Sequence, residues 1–322
     1  MSGVSSKTGT IAMAKQSAKG TPASVPTVKF MTAGAPSLMV RKERGRFAMT
    51  DAGRDKGAGY TSQMSVQGDV PVYLHPDGFA LIAAATLGAN ADSGSVNFTH
   101  TATPSSDAMW LTIWRMVAAN VFERFSDCKI TSLRVAMAAG APPIATMSIL
   151  GCDSTFEAAD TVLAALTSTP YVYMEAENFV KVGGTAYRIG RCDIGISNAI
   201  SGFQADGYKF ADLDPGEREV TLGLLMRYVN PTTEPKYRAH YYGSDAGTTL
   251  DPTVGTRAFD VILTRNVNTS IQFTLPQVTY SAVEINADVS GNPIEVDLAC
   301  DVEKPAGSNI ITVVTKDQTA TI

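Results

Sequence analysis

Apolar and polar residues alternate along most of this chain, the period expected of strands with one buried face. Residues 121–153 show it best. Within 129–135, Ile130, Leu133 and Val135 are spaced for a half-buried strand, and the pattern resumes over 144–150. Between them Ala139-Gly140-Ala141-Pro142-Pro143 breaks the run. Gly140 can take a positive φ and two prolines cannot both sit in a central ladder, so the segment predicts a hairpin with a wet turn. Residues 30–40 have β character broken by Gly34 and Pro36, and 60–74 alternates again through Met64, Val66, Val70 and Val72. In 109–117, Trp110, Thr112 and Trp114 oppose Leu111, Ile113 and Arg115, a strand covered on both sides. Further strands are predicted at 171–182, 187–196, 219–229, 257–265, 270–275, 279–288, 294–301 and 310–315.

Helical patterns are few. Residues 76–87 predict a short helix, with Asp77 able to cap it, Phe79, Ile82 and Ala83 on one side and Gly88 to stop it. A weaker pattern covers 155–166 and ends at Pro170. Polar, glycine-rich stretches at 1–29, 89–106 and 248–255 read as loops, and 41–59 reads as a long exposed loop or the tip of a hairpin. The expected fold class is mainly β, an antiparallel β-sandwich or barrel with one or two short helices and long loops. The expected organisation is a flexible N-terminal arm (1–29) and a β domain (30–322). A loose echo between the halves leaves open two tandem β modules, with a boundary near 155–185.

Composition narrows the class. With 322 residues, 44% of them hydrophobic and only 18% charged, the chain is globular. No apolar run approaches the roughly 20 residues that span a bilayer. The net charge of −5 is unevenly placed: residues 1–60 hold ten Lys/Arg against Glu43, Asp51 and Asp55, giving +7 and leaving −12 for the rest. A basic segment on an acidic body suggests self-complementary packing, and a solvated arm is the plainer alternative. Cys128, Cys152, Cys192 and Cys300 form no Cys-x-x-Cys pair, and no secretory signal precedes them. They read as small buried hydrophobes of a protein made in a reducing cytoplasm.

No catalytic or cofactor constellation emerges. His75, His100 and His240 lie far apart, and no Cys/His spacing suits zinc. Gly195-Ile196-Ser197-Asn198-Ala199 fails the nucleophile-elbow pattern at its last position. The glycine-rich 53–59 lacks the Gly-Lys-Ser/Thr ending of a phosphate loop. Asn286, Asp288, Ser290, Gly291 and Asp297 fall in a calcium-loop register, but β-patterned flanks and the missing terminal Glu favour a turn. The sequons at Asn97 and Asn268 have no secretory context. The acidic pairs Glu175/Glu177 and Asp212/Asp214 read as a solvated face.

Several segments, taken in order, resemble the tail tube (major tail) proteins of long-tailed, siphovirus-like phages. Residues 14–22 (AKQSAKGTP) are similar to the opening by which many of these proteins admit an N-terminal arm. Gly68-Asp69-Val70 followed by 76–88 resembles a strand leading to a short helix that ends in Leu-Gly. Residues 125–151, including Cys-Lys-Ile-x-Ser-Leu-Arg-Val and closing on Leu-Gly, match the central hairpin. Residues 194–200 with Ser197-Asn198, then Leu275-Pro276 and 294–300, resemble the later strands.

The resemblance implies a non-enzymatic virion protein of tail-tube β fold. It implies self-assembly into six-fold rings that stack into the conduit for genome ejection, made in the host cytoplasm without cofactors. The implied partners are further copies of the chain, a tape-measure protein, a tail terminator and tail-tip or baseplate proteins. Phage DNA would pass without specific binding. In that setting Arg41, Lys42, Arg44, Arg46, Arg54 and Lys56 are the candidates for ring-to-ring contact. Glu175, Glu177, Asp212 and Asp214 are the candidates for an acidic lumen that repels DNA phosphate. Two alternatives stay open: another virion β protein (tail terminator or capsid decoration), or a carbohydrate-binding module using Tyr237, Tyr241 and Tyr242.

Overall fold

The computed structural model describes residues 10–46, 58–118, 121–157, 180–182, 184–187, 189–227, 236–244, 246–252, 255–286 and 294–317. Strands β1 (Thr10–Lys15), β2 (Val28–Phe30), β3 (Met39–Arg46) and β4 (Gly59–Tyr73) lead into helix α1 (Pro76–Leu87). Then come β5 (Gly88–Ser93), β6 (Phe98–Pro104), β7 (Leu111–Ala118), β8 (Val121–Ala138) and β9 (Ile144–Glu157). The second half holds β10 (Val180–Val182), β11 (Thr185–Tyr187), β12 (Ile189–Ser197), β13 (Ser201–Phe203), β14 (Asp212–Asp214) and β15 (Glu219–Arg227). Helix α2 (Lys236–Tyr242), β16 (Arg257–Asn266), β17 (Thr269–Asn286), β18 (Glu295–Val302) and β19 (Thr312–Asp317) complete it. The described residues are therefore mainly β with two short helices.

Every strand pairing between these elements is antiparallel. One ladder runs β3–β4–β9–β8–β12–β15–β18–β17–β16–β10–β11. Two long strands change partners along their length and so join two sheets. The first half of β8 pairs β7, which leads to β1 and β2, while its second half pairs β12. Likewise β17 gives its first half to β19 and its second half to β18, and β19 continues to β6 and β5. A strand that switches sheets is how a sandwich turns a corner. Among the described strands only the β13–β14 ribbon stands apart.

Helix α1 sits inside this fold. Phe79 to Ala85 and Leu87 are all buried, and a helix apolar all round has no solvent face. Burying each of its large side chains contributes about 1.5–3 kcal/mol. A buried helix end must find partners for its last four carbonyls, and here all four are found. Gly88, at φ 98°, donates its N–H to Ala84 O, and Met109 N–H donates to Ala85 O. Asn198 Nδ2 donates to Thr86 O, and Leu87 O accepts from Ser105 N–H and Arg218 Nη2. The Ser197-Asn198 motif is thus an internal helix cap.

Several expectations change. Residues 10–15, expected in a loose arm, form β1, with Ile11, Ala12, Met13 and Ala14 all buried. The start of the 41–59 stretch is strand, with β3 reaching Arg46; residues 47–57 lie outside the description. The stretch 89–106, expected as loop, is largely the β5–β6 hairpin, which spans 88–104. Asp77 lies within α1, whose N-cap position is His75 in extended conformation. The run at 270–275 and residues 279–286 of the run at 279–288 are one strand, β17, despite Pro276; 287–288 lie outside the description. Residues 158–179, with most of the weak helical pattern and the proposed module boundary, lie outside the description.

Candidate functional site: an open sheet face and a projecting hairpin

Strand register assembles one face of the larger sheet in rows. Asp69, Ser148, Ser132, Ser197 and Glu219 lie side by side across β4, β9, β8, β12 and β15. Two residues along each strand, Thr146, Arg134, Gly195, Thr221 and Asp301 form the next row, which reaches β18. Then come Ala136, Asp193, Gly223, Ala299 and Ala282, and finally Ala138, Arg191, Leu225, Asp297 and Glu284. Alternate residues of the same strands, among them Val135, Ile194, Leu222 and Leu298, are buried in the core. Period-two alternation thus gives this sheet one packed face and one open face.

The open face is acidic and low in relief. Six carboxylates (Asp69, Asp193, Glu219, Glu284, Asp297 and Asp301) share it with Arg134 and Arg191. Both arginines are tied down: Arg134 Nη2 lies 3.0 Å from Asp193 Oδ1, and Arg191 Nε 3.1 Å from Asp193 Oδ2. Ser148 Oγ donates to Asp69 Oδ1 at 2.7 Å. The middle of the face is a shallow trough of about 440 Å³, floored by Ser132, Gly195, Thr221, Gly223 and Ala299. A Cβ added at Gly223 would approach only Asp193 Cβ, at an ordinary 3.8 Å. Glycine disfavours strands, so packing within the subunit gives no reason for it here.

The β3–β4 hairpin is built differently. Every β3 residue except Gly45 is exposed, and its outer edge has no strand partner among the described residues. Arg41, Lys42, Arg44 and Arg46 have no ion-pair partner among the described residues. Tyr60 lies across Gly45, where any side chain would collide with its ring, so an aromatic supplies the cross-strand contact a glycine lacks. At the root of the hairpin, Val40, Met64, Phe156 and Tyr208 line a groove of about 370 Å³.

Three polar locks fix the elements around these surfaces. A bulge in β8 puts Asp127 at φ 52°, and its Oδ1 accepts from Gly20 N–H at 2.7 Å and Gln16 Nε2 at 3.2 Å. Gln16 Oε1 accepts from Asp127 N–H, so the 14–22 motif is a clip for the entering chain. Buried Lys129 pairs with Asp107 at 2.6 Å and lies 4.1 Å from the centre of the Trp110 ring. Third, buried His100 places Nδ1 2.6 Å from Asp92 Oδ1 and Nε2 3.1 Å from Asp317 Oδ1. Only a protonated imidazole can donate from both nitrogens to two ionised carboxylates, so this geometry favours the charged form. Burial opposes that charge, but the two carboxylates outweigh it and raise the pKa.

The sequence-based candidates fall as follows. Arg41, Lys42, Arg44 and Arg46 come together on β3; Arg54 and Lys56 lie outside the described residues. Asp212 and Asp214 are on the β13–β14 ribbon, not the open face, and Asp212 pairs with Lys19 at 3.2 Å. Glu175 and Glu177 lie outside the description, as do 53–57 of the glycine-rich stretch and 287–293 of the calcium-like register. Of the three tyrosines, Tyr241 is exposed and Tyr242 half-buried on α2; the Tyr237 side chain is not described. The acidic rows escaped sequence reading because each strand contributes one or two of their members.

The chemistry of the remaining groups is muted. Burial pushes the Cys152 thiol up to about 11 and Cys300 to about 12, and raises Cys128 and Cys192 as well. Thiols shifted this way are poor nucleophiles. Burial lowers His75 to about 4. Among the described residues no group of three or more His, Cys, Asp or Glu could hold a metal ion, and no helix is long and apolar enough to cross a membrane.

Among the described residues the chain is thus a large antiparallel β fold with one open sheet face and one edge strand that has no outer partner, in the class of mainly β structural proteins. The sequence matches the phage tail tube protein family over residues 6–302, nearly the whole chain, and the protein belongs to that family of virion tail components. No curated protein matches it.

Proposed function

We propose that this chain is the repeating subunit of the tail tube, closing into six-fold rings that stack into the conduit through which the phage genome leaves. The observation that carries this reading is the open face of the β9–β8–β12–β15–β18 sheet. It is fully paired along its strands, acidic, and paved with glycine, alanine, serine and threonine. Turned toward a channel, such a wall offers DNA only a shallow, small-residue trough with no aromatic to stack on, and its two arginines are already paired. Its carboxylates repel phosphate, so a polyanion slides without the salt-dependent adhesion a basic wall would produce. Gly223, which nothing within the subunit requires, keeps the trough clear.

Stacking requires a head-to-tail interface, because a contact between two different surfaces propagates into a filament. The β3 cations are our ring-to-ring candidates, and the exposed β3 edge is the liability such a contact would remove. The tape-measure, terminator and tip proteins would bind the same two ends where the stack starts and stops. Electron microscopy of the purified protein across a concentration range tests the reading. Hollow tubes or stacked six-fold rings are expected. Isolated subunits that stay single even with a tail-tip initiator would refute it.

A further inference from the structure

We propose that the β13–β14 ribbon is a strap that couples the N-terminal clip to the β3–β4 hairpin, so that the root of the hairpin is held firmly only while the clip is closed. The coupling is a property of the single subunit and goes beyond the tube reading.

The ribbon is lightly rooted in the fold. It pairs with no strand of the large sheet. Apart from Leu213, its two strands and the turn between them are half-buried or exposed. Leu213 and Phe210 pack with Trp110, Leu150 and Cys152, a small cluster separate from the main core. Few buried contacts and an exposed ladder place an element at the low end of local stability, where it opens without unfolding the rest.

Polar ties fix the ribbon to two different neighbours. On the clip side, Lys19 pairs with Asp212 at 3.2 Å and donates to Ala211 O. Lys19 adjoins Gly20, whose N–H is held by Asp127, so this tie and the clip close together. Beside them, buried Lys129 donates to Leu213 O at 3.0 Å. On the hairpin side, Gln204 Nε2 donates to Gly207 O at 2.7 Å and to Ser62 O at 3.0 Å. Tyr208 O accepts from Met64 N–H, and Lys209 pairs with Asp153 of β9 at 2.6 Å. Ser62 and Met64 lie in the part of β4 that pairs β3. Residues 204–212 thus reach from the hairpin root to the clip, and Lys209 and Asp212, three residues apart, carry the ties at either side. Loosening one side frees the other, and a coupling of this kind acts equally in both directions.

Hydrogen exchange of the single subunit tests the strap, with the Gly20 amide reporting on the clip and the Met64 amide on the hairpin. Lys19→Glu sets like charge against Asp212 and should speed Met64 exchange by about threefold. Lys209→Glu sets like charge against Asp153 and should speed Gly20 exchange by a similar factor. Gln204→Ala removes the Ser62 tie without changing charge, and should also speed Gly20. Amides of the β5–β6 hairpin should keep their wild-type rates. Substitutions that quicken only the amide on their own side would overturn the strap. So would a matching rise in the β5–β6 amides, which would mean that the whole subunit had loosened.

Discussion

Two antiparallel pairs in this molecule illustrate opposite uses of the same hydrogen bonds. In β12 and β15, Ile194, Ile196, Leu222 and Leu224 drop into the core while Asp193, Gly195, Thr221 and Gly223 face outward. In β3 and residues 59–64 of β4 neither face reaches the core, and the pair is held by its ladder, the Tyr60–Gly45 contact and hydrogen bonds to the 204–208 segment, from Met64 N–H to Tyr208 O and from Gln204 Nε2 to Ser62 O. An isolated two-stranded hairpin is marginal in water. The sheet is therefore stabilised by the subunit's own core, whereas the hairpin draws little on that core; on the proposed function the first pair serves folding and the second serves assembly.

Substitutions should separate the two roles. Ile194→Ala opens a cavity in the packed face and should cost about 2–5 kcal/mol, seen as a lower urea midpoint. A loss below about 1 kcal/mol would mean the core is not centred there. Asn198→Ala takes the Asn198 donor from the Thr86 and Ile130 carbonyls and the acceptor from Arg218 Nε, whose Nη2 keeps its bonds to Leu87 O and Ser105 O. Burial of those groups sets the cost at about 1–3 kcal/mol, and α1 amides should lose hydrogen-exchange protection before the strands do.

The His100 lock predicts a pH dependence. Its folded pKa lies above the unfolded value of about 6.5, so its stabilisation is fully present below that value and fades as pH rises through the raised one. Urea midpoints measured upward from pH 6 should fall more steeply for wild type than for His100→Gln. Parallel slopes would show that the imidazole does not carry the charge. At the other extreme, Tyr60→Ala should change subunit stability by less than about 0.5 kcal/mol, as exposed sites usually do. Tube formation should nevertheless weaken, and a fall in subunit stability instead would place the hairpin in the folding unit. Gly223→Ala should be neutral or slightly stabilising in the subunit, by up to about 1 kcal/mol.

The packed sheet was readable from sequence because its alternation is clean. The β8–β9 hairpin follows from Ile130, Leu133 and Val135, the Gly140 turn at φ 75° and the two prolines. Strand β1 was hidden because both its faces are covered: Ile11 and Met13 join the main core, and Ala12 and Ala14 pack with Trp114 and Phe122. Two-sided burial erases the period. Small and polar residues concealed β5–β6 in the same way. Pro276 suggested a break, yet it falls where β17 passes from β19 to β18 and shifts register against β16, so its missing N–H leaves no ladder bond unmade. The basic half of the candidate site was visible as a charge run. The acidic half was not, because only register brings Asp193, Glu219, Asp301 and Asp69 onto one face.

The central claim is that this acidic, small-residue face lines the channel. A cryo-electron microscopy map of the assembled tube, fine enough to trace strands, tests it most directly. The account predicts Asp193, Gly223 and Asp301 at the channel surface, with Ile194 and Leu222 behind them. A map that puts this face on the outside of the tube, or buries it between neighbouring subunits, would contradict it.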